Sequence, residues 1–101
     1  MPKRRNSAEK LDLWDSPIAE ELDLHGNTAA QARPMVKNFV SRCSRSHSGQ
    51  VVRIMTGKGR GSLNGPVLPP LVNGMLRGEL QVFIAEFSKD LDEAGFLVRL
   101  R

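Results

Sequence analysis

The sequence predicts an α+β domain of element order βαβαββ, with four strands in a mixed sheet and two helices. Two apolar stripes at helical spacing, four short stretches with strand patterning, and polar or glycine-rich punctuation between them support this. Each strand-helix-strand step implies strands that run parallel, while the short link before the last strand lets the final two pair antiparallel.

Residues 1–17 are mixed in charge and end at Pro17, so they read as an arm preceding a domain over residues 18–101. In the arm, Ser7 is placed to cap a short helix carrying Leu11 and Trp14, and the tryptophan is expected to dock on its own domain. The first strand alternates, with Ile18, Glu20, Leu22 and Leu24 on one side and Ala19, Glu21, Asp23 and His25 on the other. Thr28-Ala29-Ala30-Gln31 has the form of a capping box, and Ala32, Met35, Val36, Phe39, Val40 and Cys43 follow at core-facing helical positions. Pro34 removes a backbone donor inside that helix, so a kink or a later start is expected.

After a serine-rich turn over residues 44–50, the apolar run Val51-Val52-Arg53-Ile54-Met55-Thr56 suits a central strand. Val67, Leu68, Leu71, Val72, Met75 and Leu76 form the second helical stripe, with Pro69 and Pro70 in its first turn and Gly78 as its stop. Residues 80–87 alternate as a third strand and residues 88–94 connect it to a fourth. There Phe96, Val98 and Leu100 alternate with Leu97, Arg99 and Arg101.

A chain of 101 residues holds one core, and its 40% hydrophobic content comes in runs too short to span a bilayer. Met1-Pro2-Lys3-Arg4-Arg5 begins as a signal peptide would, but no apolar stretch follows, so a cytoplasmic, monomeric protein is expected. The single cysteine, Cys43, excludes an internal disulfide and is expected to be a packed thiol. Its spacing to His47 falls short of the three or four convergent ligands that a metal site needs. A net charge of +4 and a pI near 9.8 favour polyanionic partners.

Parallel strands joined by right-handed crossovers end on the same sheet edge, and His25 and Gly57 lie just beyond two such ends. Gly57, Gly59 and Gly61 permit close backbone approach, so amides of the loop can face an anion, with Lys58 and Arg60 adding charge and Ser62 following. The spacing is neither that of a Walker loop nor that of a dinucleotide fingerprint, which disfavours a nucleotide cofactor. The loop fits either a phosphate site or a tight strand-to-helix connection. Asp23 and His25 fit either a structural strand end or a proton-transfer pair in which the carboxylate fixes the imidazole tautomer.

Leu22-Asp23-Leu24-His25-Gly26-Asn27-Thr28, then Ile54-Met55-Thr56-Gly57-Lys58-Gly59, then Val67-Leu68 resemble successive signatures of the Smr (small MutS-related) domain family, over roughly residues 19–101. The resemblance implies a single-domain member with a two-layer α/β sandwich, similar to the C-terminal domain of translation initiation factor three. Both helices would cover one face, with the last strand inserted antiparallel. It further implies nicking of DNA or cleavage of RNA, as in other members, with ribosomes or repair proteins as further partners. By position, Asp23 and His25 match residues implicated in cleavage, and Gly57, Lys58 and Gly59 match the phosphate-side loop. Where family members carry a Gly-Gly-x-Gly-Ala-like loop, Asp92-Glu93-Ala94-Gly95-Phe96 keeps one glycine.

Together these readings predict an endonuclease, with Asp23 and His25 as the catalytic pair and Gly57, Lys58, Gly59, Arg60, Gly61 and Ser62 binding phosphate. No metal ligands and no cofactor are expected, a divalent ion entering only as a weak assistant to cleavage. The alternative is a non-catalytic module that docks on DNA, RNA or a ribosome through the same basic rim.

Overall fold

The computed structural model describes residues 12–57, 67–90 and 94–101. Its elements are β1 (Ile18–Asp23), α1 (Ala29–Ser46), β2 (Val51–Met55), α2 (Leu68–Arg77), β3 (Ile84–Lys89) and β4 (Gly95–Leu100). The four strands lie in the order β1-β2-β4-β3, with β1 parallel to β2 and β4 antiparallel to both of its neighbours. β3 thus runs in the direction of β2, as the β-α-β step requires, but β4 takes the place between them.

Burial explains why the last strand is central. Phe96, Val98 and Leu100 join the main core, while Leu97 on the opposite face is also buried. A strand apolar on both faces is stable only when both faces are covered. On one face α1 contributes Ala32, Val36, Phe39, Val40 and Cys43, and α2 contributes Leu68, Val72, Met75 and Leu76. This is the two-layer sandwich, with both helices on the same side of a mixed sheet.

The other face is covered in part by the segment preceding β1. A 3₁₀ turn at Leu13–Asp15 buries Leu13 against Val51 and Leu97. Ser16 ties the segment down: its hydroxyl donates to the Asp12 carbonyl at 2.8 Å and accepts from the Arg99 guanidinium at 3.1 Å. The buried anchor is therefore Leu13, not Trp14, which stays about half exposed beside Ile18 and Leu97. Ser7 and Leu11 lie outside the described residues.

Three local expectations need correction. The alternation of β1 is interrupted, because its register against β2 shifts between Ile18 and Glu21. Ala19 and Leu22 consequently pack on the core while Ile18 is exposed. The predicted strand over residues 80–87 starts only at Ile84, since Leu80 and Gln81 close the end of α2 by donating to the carbonyls of Met75 and Gly78 at 3.0 and 3.1 Å. Finally, α1 is not delayed by Pro34. It begins at Ala29 behind a complete capping box, in which the Gln31 amide donates to Thr28 Oγ1 at 3.1 Å and the Thr28 amide to Gln31 Oε1 at 2.9 Å. The Pro34 ring is exposed, so its missing donor costs one helical bond without disturbing the buried stripe.

Candidate functional site

The carboxyl ends of β1 and β2 are stitched together just where the two motifs begin. Leu24 is fully buried and its amide donates to the Met55 carbonyl at 2.7 Å, which continues the parallel pairing one residue past β1. The chain then turns sharply: the Asn27 amide returns to the Leu24 carbonyl at 3.0 Å, and Gly26 takes a φ of +85° that disfavours a side chain. Thr28 follows as the cap of α1. His25 is thereby held exposed on a short, doubly anchored turn.

From the other strand, Thr56 and Gly57 are fastened to the segment before β4. The amides of Thr56 and Gly57 both donate to the Ala94 carbonyl, at 2.8 and 3.0 Å. The Thr56 hydroxyl, buried with its residue, lies 3.0 Å from the Gly57 carbonyl and 3.2 Å from that of Ala94, so its one proton is satisfied. Gly57 has a φ of +78°, and a Cβ at that position would stand 3.3 Å from Cδ2 of His25. The imidazole therefore lies directly against the backbone that enters the glycine-rich loop.

Asp23 is tied to His25 by a main-chain contact. Its Oδ1 accepts from the backbone amide of His25 at 2.9 Å, a local turn closed by a side chain. That bond fixes the backbone from which the His25 ring projects. Lys58, Gly59, Arg60, Gly61 and Ser62 lie outside the described residues.

The segment joining β3 to β4 contributes more than its departure from the family pattern implied. Gly95 pairs with Met55, and a Cβ there would collide with the Ile54 carbonyl oxygen. This glycine permits the close approach that lets Ala94 hold Thr56 and Gly57. The one glycine retained in Asp92-Glu93-Ala94-Gly95-Phe96 was the available signal, although a lone glycine does not name its contact.

Among the described residues the site is the ledge formed by His25 and Gly57, and a groove lined by Asn73, Arg77, Ser88 and Lys89 lies elsewhere, between α2 and β3. Much of the basic charge elsewhere is paired. Arg53 contacts Asp90 at 2.6 Å and Glu21 at 3.4 Å, Arg99 contacts Glu86 at 3.0 Å, and Arg33 contacts Glu79 at 2.9 Å. Among the described residues, ligand-type side chains converge in one group, Glu20 with Cys43 and His47, away from His25. No described helix is long and apolar enough to cross a membrane.

Comparison with known families returns the Smr domain, whose model matches residues 22–96 and so covers both strand-end motifs and the Ala94-Gly95 anchor. No curated protein matches the chain.

Proposed function

The chain belongs to the Smr domain family, a nucleic-acid-binding and nuclease type of domain, and from that membership we propose that it is an endonuclease acting on the phosphodiester backbone at the ledge formed by His25 and Gly57. The observation that carries this reading is the exposed imidazole lying against the start of the Gly57-Lys58-Gly59-Arg60-Gly61 loop. A base and a set of phosphate donors are useful only if one phosphate can touch both.

In the proposed mechanism, Lys58 and Arg60, with loop amides from Gly57 to Ser62, hold the scissile phosphate and offset the charge that builds on its oxygens. His25 removes the proton from the attacking hydroxyl. On RNA that hydroxyl is the 2′-OH beside the phosphate: its oxygen bonds to phosphorus, the 5′-oxygen departs and takes a proton from solvent, and a cyclic phosphate remains. On DNA the imidazole must activate water, a weaker acid target held less firmly, so RNA is the favoured substrate. Asp23 acts as a positioning residue, fixing the backbone from which the imidazole projects. A divalent ion enters this mechanism only as a weak assistant to cleavage.

End-labelled single-stranded, duplex and branched RNA and DNA, with and without chelator, provide the test. A positioned general base contributes about 10²–10⁴-fold, so His25→Ala should slow scission by that factor while leaving binding nearly unchanged. Asp23→Asn keeps an acceptor for the His25 amide and should retain most activity, whereas Asp23→Ala should lose it. Equal scission by pure wild-type and His25→Ala protein would refute the assignment. Binding with no scission of any substrate would make the domain a docking module.

A further inference from the structure

β1 and the last turn of α1 bring three ligand-bearing side chains together at the opposite end of the strand from His25. Cys43 and His47 are four residues apart and so project from the same side of the helix end, while Glu20 meets them from the sheet. Their sulfur, imidazole nitrogen and carboxylate oxygen all lie within 4.8 Å of one another. Glu20 Oε2 is the hub, 2.9 Å from His47 Nε2 and 3.7 Å from Cys43 Sγ. Arg42 grips the same carboxylate from outside, at 2.7 Å to Oε1 and 3.1 Å to Oε2.

Two readings compete for this cluster. An ion-pair network accounts for Arg42, whose hydrogen bonds are the main cause holding the Glu20 carboxyl down at about 2, with His47 next. It leaves the buried Cys43 thiol as a third donor on the same oxygen that His47 meets, so a soft and an imidazole ligand converge on one carboxylate. Around a tetrahedral zinc ion, with bonds of about 2.0 Å to nitrogen or oxygen and about 2.3 Å to sulfur, ligand atoms lie roughly 3.3–3.5 Å apart. The separations of 2.9 and 3.7 Å from Glu20 bracket that spacing and the sulfur-to-imidazole separation is within 4.8 Å, so side-chain rotations that draw Cys43 and His47 together would seat an ion.

We propose that Glu20 Oε2, Cys43 Sγ and His47 Nε2 form a binding site for a divalent cation of the zinc class, with water as the fourth ligand. On loading, the Cys43 proton leaves to solvent and the thiolate binds; neutral His47 donates its Nε2 lone pair; Glu20 keeps Arg42 on Oε1. One thiolate and one carboxylate balance the charge of the ion. Burial, and then the charge of Glu20, push the free thiol up to about 11, so the cation itself must supply the drive for its ionisation. The carbonyl end of α1 adds favourable potential, and the partly exposed Glu20 and His47 leave a path for the ion and its water. The chain distance from Glu20 to His25 is roughly 16 Å at strand rise, so the ion would fasten α1 to β1 and take no part in cleavage.

The test strips the full chain with chelator and titrates it with cobalt(II), then with zinc(II). Saturation at one equivalent is expected, with a thiolate-to-cobalt charge-transfer band that zinc abolishes, and with a thermal midpoint that rises with zinc concentration. Cys43→Ala should remove the charge-transfer band, and His47→Gln should weaken cobalt binding by more than about tenfold. His25→Ala should change neither, which keeps this site distinct from the proposed nuclease. Circular dichroism on each variant establishes that it is folded. No charge-transfer band in the folded wild type, or one that survives in Cys43→Ala, would overturn the proposal.

Discussion

Replacing Gly57 by alanine probes the junction on which the proposed nuclease depends. A φ of +78° places any Cβ-bearing residue in the left-handed region, at about 1–2 kcal/mol. The new methyl also stands 3.3 Å from His25 Cδ2, closer than an ordinary contact. His25 is exposed, so its ring gives way before β2 does, at about 0.5–1.5 kcal/mol for an off-rotamer side chain. The expected total is about 1.5–3.5 kcal/mol, measurable by urea denaturation of the full chain. Gly26→Ala supplies the control, because Gly26 has a φ of +85° with nothing within 4 Å of its would-be Cβ. It should lose only the backbone part, about 1–2 kcal/mol. Repeating Gly57→Ala in a His25→Ala background should recover the contact part as a coupling of about 0.5–1.5 kcal/mol. Zero coupling would mean that the imidazole does not lie against this glycine, and a Gly57→Ala cost below about 0.5 kcal/mol would mean that the backbone there is not left-handed.

Other substitutions test the frame around the site. Gly95→Ala sets a methyl against the Ile54 carbonyl oxygen and 3.0 Å from Met55 Cα, both rigid backbone, so unfolding should become easier by about 3 kcal/mol or more; near-native urea stability would contradict the close approach of β4. Thr28→Ala removes one half of the capping box and should cost about 0.5–2 kcal/mol, read from the urea midpoint followed by helical circular dichroism. Leu13→Ala should cost up to about 1.5–3 kcal/mol, and the segment ahead of β1 should be cut faster in limited proteolysis, since that side chain is its buried anchor. Unchanged proteolysis would place the anchor elsewhere.

What was legible in the sequence follows from how far each signal reaches. The capping box, the Gly78 stop and the apolar stripes of α1 and α2 are relations over three to four residues, and they appear in the structure except at Val67, which precedes α2 and is exposed because the helix begins only at Leu68. The bulge in β1 was not legible, because register is a property of two strands and the alternation of one cannot report a slip against the other. Leu80 carried strand composition, yet it serves as the apolar closure of a helix end, where main-chain bonds to Met75 and Gly78 outweigh propensity. Asp23 and His25 were adjacent candidates from the motif, but spacing could not distinguish a carboxylate facing a ring from one facing an amide.

The sequence by itself determined the element order, the parallel start of the sheet and the identity of the two strand-end motifs, because local periodicity and chain chirality leave few alternatives. The family resemblance implied the inserted last strand, and only the tertiary structure decided that Leu13 seals the second face against Val51 and Leu97 and that Glu20 reaches Cys43 and His47. Those choices bring together residues more than twenty positions apart, whose pairing is selected by the joint burial of both faces and leaves no periodic trace in either segment.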